Sequence, residues 1–164
     1  MHTFHLAQIN LARMKTPLES PEMADFVARL DEINALADRA PGFVWRLQTP
    51  EGNATYVRAY DDDRILVNLS VWESVETLKE YVYHSAHAEL LRARRSWFEQ
   101  FSGVFAALWW VPAGHIPTVE EAKLRLEHLE ENGPSPFAFT FKAIHPPEAA
   151  VIPPDLARQR IMTV

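Results

Sequence analysis

The stretch Ile65-Leu66-Val67-Asn68-Leu69-Ser70-Val71-Trp72 runs without a break into Glu73-Ser74-Val75-Glu76-Thr77-Leu78. Its first half alternates. Ile65, Val67, Leu69 and Val71 form an apolar face, opposite Leu66, Asn68, Ser70 and Trp72. A period of two is the signature of a β-strand. Ser74 then offers a helix cap, and Val75, Leu78 and Val82 recur at helical spacing. The strand passes directly into a helix, and one of its faces carries two polar side chains and an indole.

Upstream, Phe4 to Leu11 also alternates, with His5, Ala7, Ile9 and Leu11 on one side and Phe4, Leu6, Gln8 and Asn10 on the other. A helix begins after Ser20, where Pro21 loses nothing by lacking an N–H and Glu22 and Asp25 suit the first turn. Met23, Phe26, Val27, Leu30, Ile33 and Ala37 carry its stripe until Pro41-Gly42 ends it near Arg39 or Ala40. Phe43 to Gln48 is the second strand, and Ala54 to Tyr60 is either a short strand or an ordered excursion.

Downstream of Trp72 the helical pattern continues through His87, Leu90, Leu91, Arg94 and Phe98, with a break expected near His84-Ser85. Ala106 to Val111 is the fourth strand. Trp109 and Trp110 point to opposite sides of it, so burying both requires cover on both sheet faces. The order β-α-β-β-α-β is an α+β, ferredoxin-like arrangement. The helices cover one face of its antiparallel sheet, and the other mixes aromatics with amides, so a second copy of the chain is the expected cover. An added helix follows, opened by the capping box Thr118-Val119-Glu120-Glu121 and stopped by Gly133. A fifth strand, Phe137 to Lys142, completes a domain spanning residues 1–145, and residues 146–164 form a proline-containing tail.

Composition narrows the function classes. The chain has 164 residues, which is one domain's worth, and 48% of them are hydrophobic, so a disordered reading fails. No apolar run approaches the roughly eighteen residues of a membrane span, and Met1 to His5 lacks the features of a secretory signal. Absence of cysteine removes disulfides and thiolate chemistry, in keeping with a cytoplasmic protein. A net charge of -6 argues against nucleic acid and anionic membrane as partners. The local basic group Arg92, Arg94 and Arg95 is better explained by pairing with Glu89, Glu99 or Asp61-Asp62-Asp63.

Two groups of residues are candidates for chemistry. Gln8, Asn10, Asn68, Ser70 and Trp72, with Arg46 or Gln48, face a common space. Amides and an indole N–H orient a small polar or aromatic ligand or polarise its carbonyl, and none is a nucleophile or base at neutral pH. The same amides also suit a plain dimer interface. His84 and His87, three apart on a helix, are the second group, able to ligate haem or act as a base. The structural alternative is one histidine packed against a hydrogen-bond partner and the other solvated. An HxxH pair with no carboxylate or cysteine pattern names no metal, and no metal site is assigned. His115, in Pro112-Ala113-Gly114-His115-Ile116-Pro117, is a candidate for the mouth of a pocket. Phosphate loops, HExxH and GxSxG are absent.

Several runs carry a family resemblance: Pro41-Gly42-Phe43-Val44-Trp45-Arg46-Leu47, Leu66 to Leu78, Tyr83-His84-Ser85-Ala86-His87, and Leu108-Trp109-Trp110-Val111-Pro112-Ala113-Gly114-His115. Together they resemble domain-of-unknown-function family 3291, over most of the chain to about residue 145. That family is similar to the dimeric α/β-barrel superfamily, which also holds antibiotic-biosynthesis monooxygenases and chlorite-dismutase-like proteins. The resemblance implies a homodimeric barrel and lends no reaction. A looser likeness is to the haem-degrading monooxygenases of that superfamily, which use an asparagine on the first strand, a tryptophan ending the third and a histidine on the second helix. Asn10, Trp72 and His84 or His87 stand in comparable places. The cofactor is therefore left open between none and haem. The function is left open between a pocket-bearing homodimer, a monooxygenase of an aromatic or haem-like substrate, and a non-catalytic binding protein.

Overall fold

The computed structural model describes residues 3–50, 52–55, 57–84, 96–100 and 103–147. Among them are four strands: β1 (Phe4–Arg13), β2 (Phe43–Arg46), β3 (Ile65–Trp72) and β4 (Ala106–Pro112). Three α-helices accompany them: α1 (Ala24–Arg39), α2 (Val75–His84) and α3 (Val119–Asn132). The strands form one antiparallel sheet in the order β2-β3-β1-β4, which is the ferredoxin-like α+β arrangement. None of the described helices is long and apolar enough to cross a membrane.

Register explains the two faces. Ala7 lies opposite Val71 and Trp109, and Ile9 opposite Leu69 and Ala107, so aliphatic side chains stack across three strands. α3 covers this face with Ala122, Leu126 and Leu129, while Leu47, Ala59 and Tyr60 complete the cover beside β3. On the other face Leu6, Trp72, Leu108 and Trp110 pack against Val75, Leu78 and Tyr81 of α2. Met14 and Leu66 meet Met23, Phe26 and Leu30 at the α1 end, with Trp97 and Phe98. Trp109 and Trp110 are both buried, as their opposite orientations demanded.

The expectation that a second copy covers the amide-bearing face is corrected here. That face lies under α1 and α2, and the opposite face is apolar and covered by α3 of the same chain. Alternation shows which side chains share a face. It does not show on which side of the sheet the crossover helices lie.

The fifth strand is also corrected. Phe139 makes one bridge, exchanging two 2.8 Å backbone bonds with Leu108, and residues 137–142 form no strand around it. The flanking backbone is committed elsewhere: Arg125 Nη1 donates to Phe137 O at 2.9 Å, and Ser135 Oγ accepts from Phe137 N at 3.2 Å. The described part of 54–60 is not a strand, because Val57 N bonds Ala54 O and Arg58 bonds Thr55 O within the segment. Thr118 caps α3 by accepting from Glu121 N at 3.1 Å, but the Glu121 carboxylate turns to His115, not back to the cap. Ser20 donates to Pro17 O, and a 3-10 turn, Pro21–Met23, precedes α1. The expected break after His84, the arginines at 92, 94 and 95, and the tail from residue 148 lie outside the described residues.

Gly42 joins α1 to the sheet. Its φ is +80°, and its carbonyl accepts from Glu73 N at 2.8 Å, just before α2. A Cβ there would fall on the Thr77 side chain, which caps α2 together with Ser74. Gly42→Ala should therefore lower unfolding stability by about 1–3 kcal/mol in urea melts. Thr77→Ala in the same chain should recover only part of the loss, because the backbone strain remains.

Candidate functional site

The middle of the helix-facing side of the sheet is polar, between the two apolar clusters under α1 and α2. Antiparallel pairing places Gln8 opposite Ser70 and Asn10 opposite Asn68. Trp72 Nε1 donates to Ser70 Oγ at 2.9 Å, and Gln8 Nε2 donates to the same oxygen at 2.7 Å. Gln8 Nε2 also donates to Asn68 Oδ1 at 2.5 Å. Ser70 Oγ accepts both of the first two bonds, and Asn68 Oδ1 accepts the third. The Asn68 carbonyl oxygen is thus used inward, and its N–H2 is left for the outer side.

Burial grades along this chain. Trp72, Ser70 and Gln8 are buried, whereas Asn68 and its cross-strand neighbour Asn10 are exposed. The buried members satisfy one another, which removes the penalty a lone buried amide would carry. Trp72 is fixed by an edge contact with Phe43, centroids 5.5 Å apart, and by stacking on Tyr81 at 5.1 Å. On the other flank Phe26 meets Trp97 and Phe98 at 5.8 and 5.2 Å. Aromatic packing therefore stands on both sides of the exposed amide pair.

Tyr81 was not singled out from the sequence, although it follows Leu78 at helical spacing. Its hydroxyl donates to Ile33 O at 3.1 Å, and burial pushes its pKa up to about 12, with Arg46 opposing the shift and Asp38 adding to it. Arg46 lies opposite Ser70 across β2 and β3, but its hydrogen bonds go elsewhere. Its guanidinium bonds both Asp38 oxygens, at 2.7 and 3.2 Å, and Gly52 O at 2.7 Å.

His84 does not join the site. It ends α2, is exposed, and makes none of the bonds above, while His87 lies outside the described residues. His115 bonds Glu121 at 2.8 Å, at the start of the helix that covers the opposite face, and so is not at the mouth of this surface. No group of three or more histidine, cysteine or acidic residues able to hold a metal ion occurs among the described residues. The surface can orient a ligand and donate hydrogen bonds to a carbonyl or phenolate oxygen, and it holds no nucleophile.

Ser70→Ala should leave Trp72 Nε1 and one Gln8 N–H without a partner, costing about 2 kcal/mol in a denaturant melt. A loss under about 0.5 kcal/mol would show that the chain contributes no net order. Tyr81 makes a second prediction. The unfolded phenol ionises near 10 and the folded one near 12, so stability present below pH 10 is lost as pH rises through 12. The stability gap between wild type and Tyr81→Phe should shrink from pH 9 to 11.5 in urea unfolding, and parallel curves would contradict the assignment.

The family model for the domain of unknown function DUF3291 matches residues 5–153. No curated protein matches the chain. Solved structures of similar architecture include SnoaB, a cofactor-independent oxygenase from Streptomyces nogalater, at 17% identity, covering 68% of this chain and 95% of that one, TM-score 0.42. A candidate antibiotic biosynthesis monooxygenase from Nitrosomonas europaea is 11% identical, covering 70% and 94%, TM-score 0.46. NE2512, a protein of unknown function from the same organism, is 14% identical, covering 72% and 99%, TM-score 0.44. These are likenesses of architecture alone.

Proposed function

The chain belongs to the DUF3291 family, and we propose that it binds a small, flat molecule against the Asn10–Asn68 surface of its sheet. The observation that carries this reading is the hydrogen-bonded chain Trp72–Ser70–Gln8–Asn68, buried at one end and exposed at the other. A sheet face with a purely structural role is most cheaply filled with apolar side chains, as the face under α3 is. Here an indole donor, a hydroxyl and an amide are spent on holding one asparagine, with its N–H2 outward, beside a second.

The ligand class follows from the chemistry. Exposed amide N–H groups favour a carbonyl, enolate or phenolate oxygen, and the half-buried rings of Tyr81 and Phe98 on the two flanks favour a planar body. Any catalytic contribution from this surface is positioning and stabilisation of negative charge on that oxygen.

The test uses two probes, 1-indanone and 2-naphthol, followed by saturation-transfer NMR on wild type and an Asn10→Ala/Asn68→Ala variant. Both residues are exposed and Gln8 keeps its bond to Ser70, so the variant should keep its fold. Binding should weaken about tenfold in the variant, roughly 1.4 kcal/mol. Equal affinity in the two proteins, or no binding of either probe to wild type, would remove the reading.

A further inference from the structure

A depression lies on the same sheet face at the opposite end of β1 from Asn10. It is a groove of about 700 Å³ between the start of α2 and the segment that follows the Phe139 bridge. Phe4 and Trp110 line it from the sheet, and Ile144 and Pro146 from the returning chain. Glu73 and Glu76 line it from the beginning of α2. Its volume is in the range of small-molecule sites.

We propose that this groove binds an organic cation with an apolar body. Phe4 and Trp110 give the sheet-side wall an aromatic surface, to which Thr3 adds one hydroxyl. Trp110 Nε1 is already given to His145 O at 2.8 Å, and Pro146 and Pro147 have no N–H. The opposite rim is acidic. Glu73 and Glu76 are exposed, and no described residue pairs with either carboxylate. One cation, Lys79, shares the rim, and its ammonium is drawn 5.7 Å from the Phe141 ring centre. Two carboxylates against one ammonium leave the rim negative. The positive end of α2 is opposed by Glu76 in its own first turn. Aromatic faces beside unpaired carboxylates attract an ammonium group through ring quadrupole and charge together.

The amide surface and the groove make separable claims. The groove uses no residue of the Trp72–Ser70–Gln8–Asn68 chain, and its ligand carries the opposite charge preference.

The experiment titrates 1-naphthylmethylammonium into the full-length, ¹⁵N-labelled protein and follows the Trp110 indole N–H resonance, assigned with Trp110→Phe. The neutral 1-naphthylmethanol and the anionic 1-naphthylacetate serve as shape-matched comparisons. The ammonium should move the Trp110 signal saturably and bind about tenfold more tightly than either comparison. Glu73→Gln/Glu76→Gln should erase that preference, and raising the salt concentration should weaken it. The proposal is overturned if the acetate binds as well as the ammonium or if the double variant keeps the preference. It is equally overturned if no saturable shift appears, the result expected when residues 148–164 or a second copy of the chain occupies the groove.

Discussion

Strand β1 is hydrogen-bonded along both edges, to β3 on one side and β4 on the other. A slip of one residue in either pairing would exchange Ala7, Ile9 and Leu11 with Leu6, Gln8 and Asn10. The aliphatic set would then lie under α1 and α2, and the amides would be driven among the aliphatic side chains beneath α3. Burial on both faces therefore holds the register, and the register brings Asn10 opposite Asn68 and Gln8 opposite Ser70. Every property of the amide surface depends on that pairing.

Trp72 links the packing to the polar chain. Its ring closes the apolar cluster beneath α2 between Phe43 and Tyr81, and its N–H begins the chain that reaches Asn68. A tryptophan at this position satisfies two demands that a phenylalanine would divide, because only the indole carries a donor. Tyr81 reinforces the arrangement by stacking on Trp72 and tying α2 to Ile33 of α1.

The other face is organised around α3. Arg125 is buried within this helix, donates to Phe137 O, and stands 4.0 Å from the centre of the Phe137 ring. Burial lowers its pKa to about 10, an effect opposed by the Glu121 carboxylate one turn earlier. Glu121 also receives His115, so the chain entering α3 and the chain leaving it are both fastened to the helix. This self-contained cover places the apolar face inside a single chain, and it uses the Phe137 carbonyl that a fifth strand would have required.

Periodicity and punctuation made most of the elements legible. Ile65 to Trp72 could only be a strand with Asn68 and Ser70 on one face, Pro41-Gly42 had to end a helix, and Thr118 had to begin one. The grouping of Gln8, Asn68, Ser70 and Trp72 was legible too, because alternation in two strands leaves few ways to combine them. Arg46 does lie opposite Ser70, yet it and His115 are each held by a carboxylate, Asp38 or Glu121, whose proximity arises only when separate elements pack. The side of the sheet taken by the helices and the loss of the fifth strand to Arg125 likewise depend on long-range contacts. The sequence by itself thus determined which side chains share a face, since that follows from local backbone geometry. Tertiary structure alone decided what each face meets, because only packing selects among the partners available.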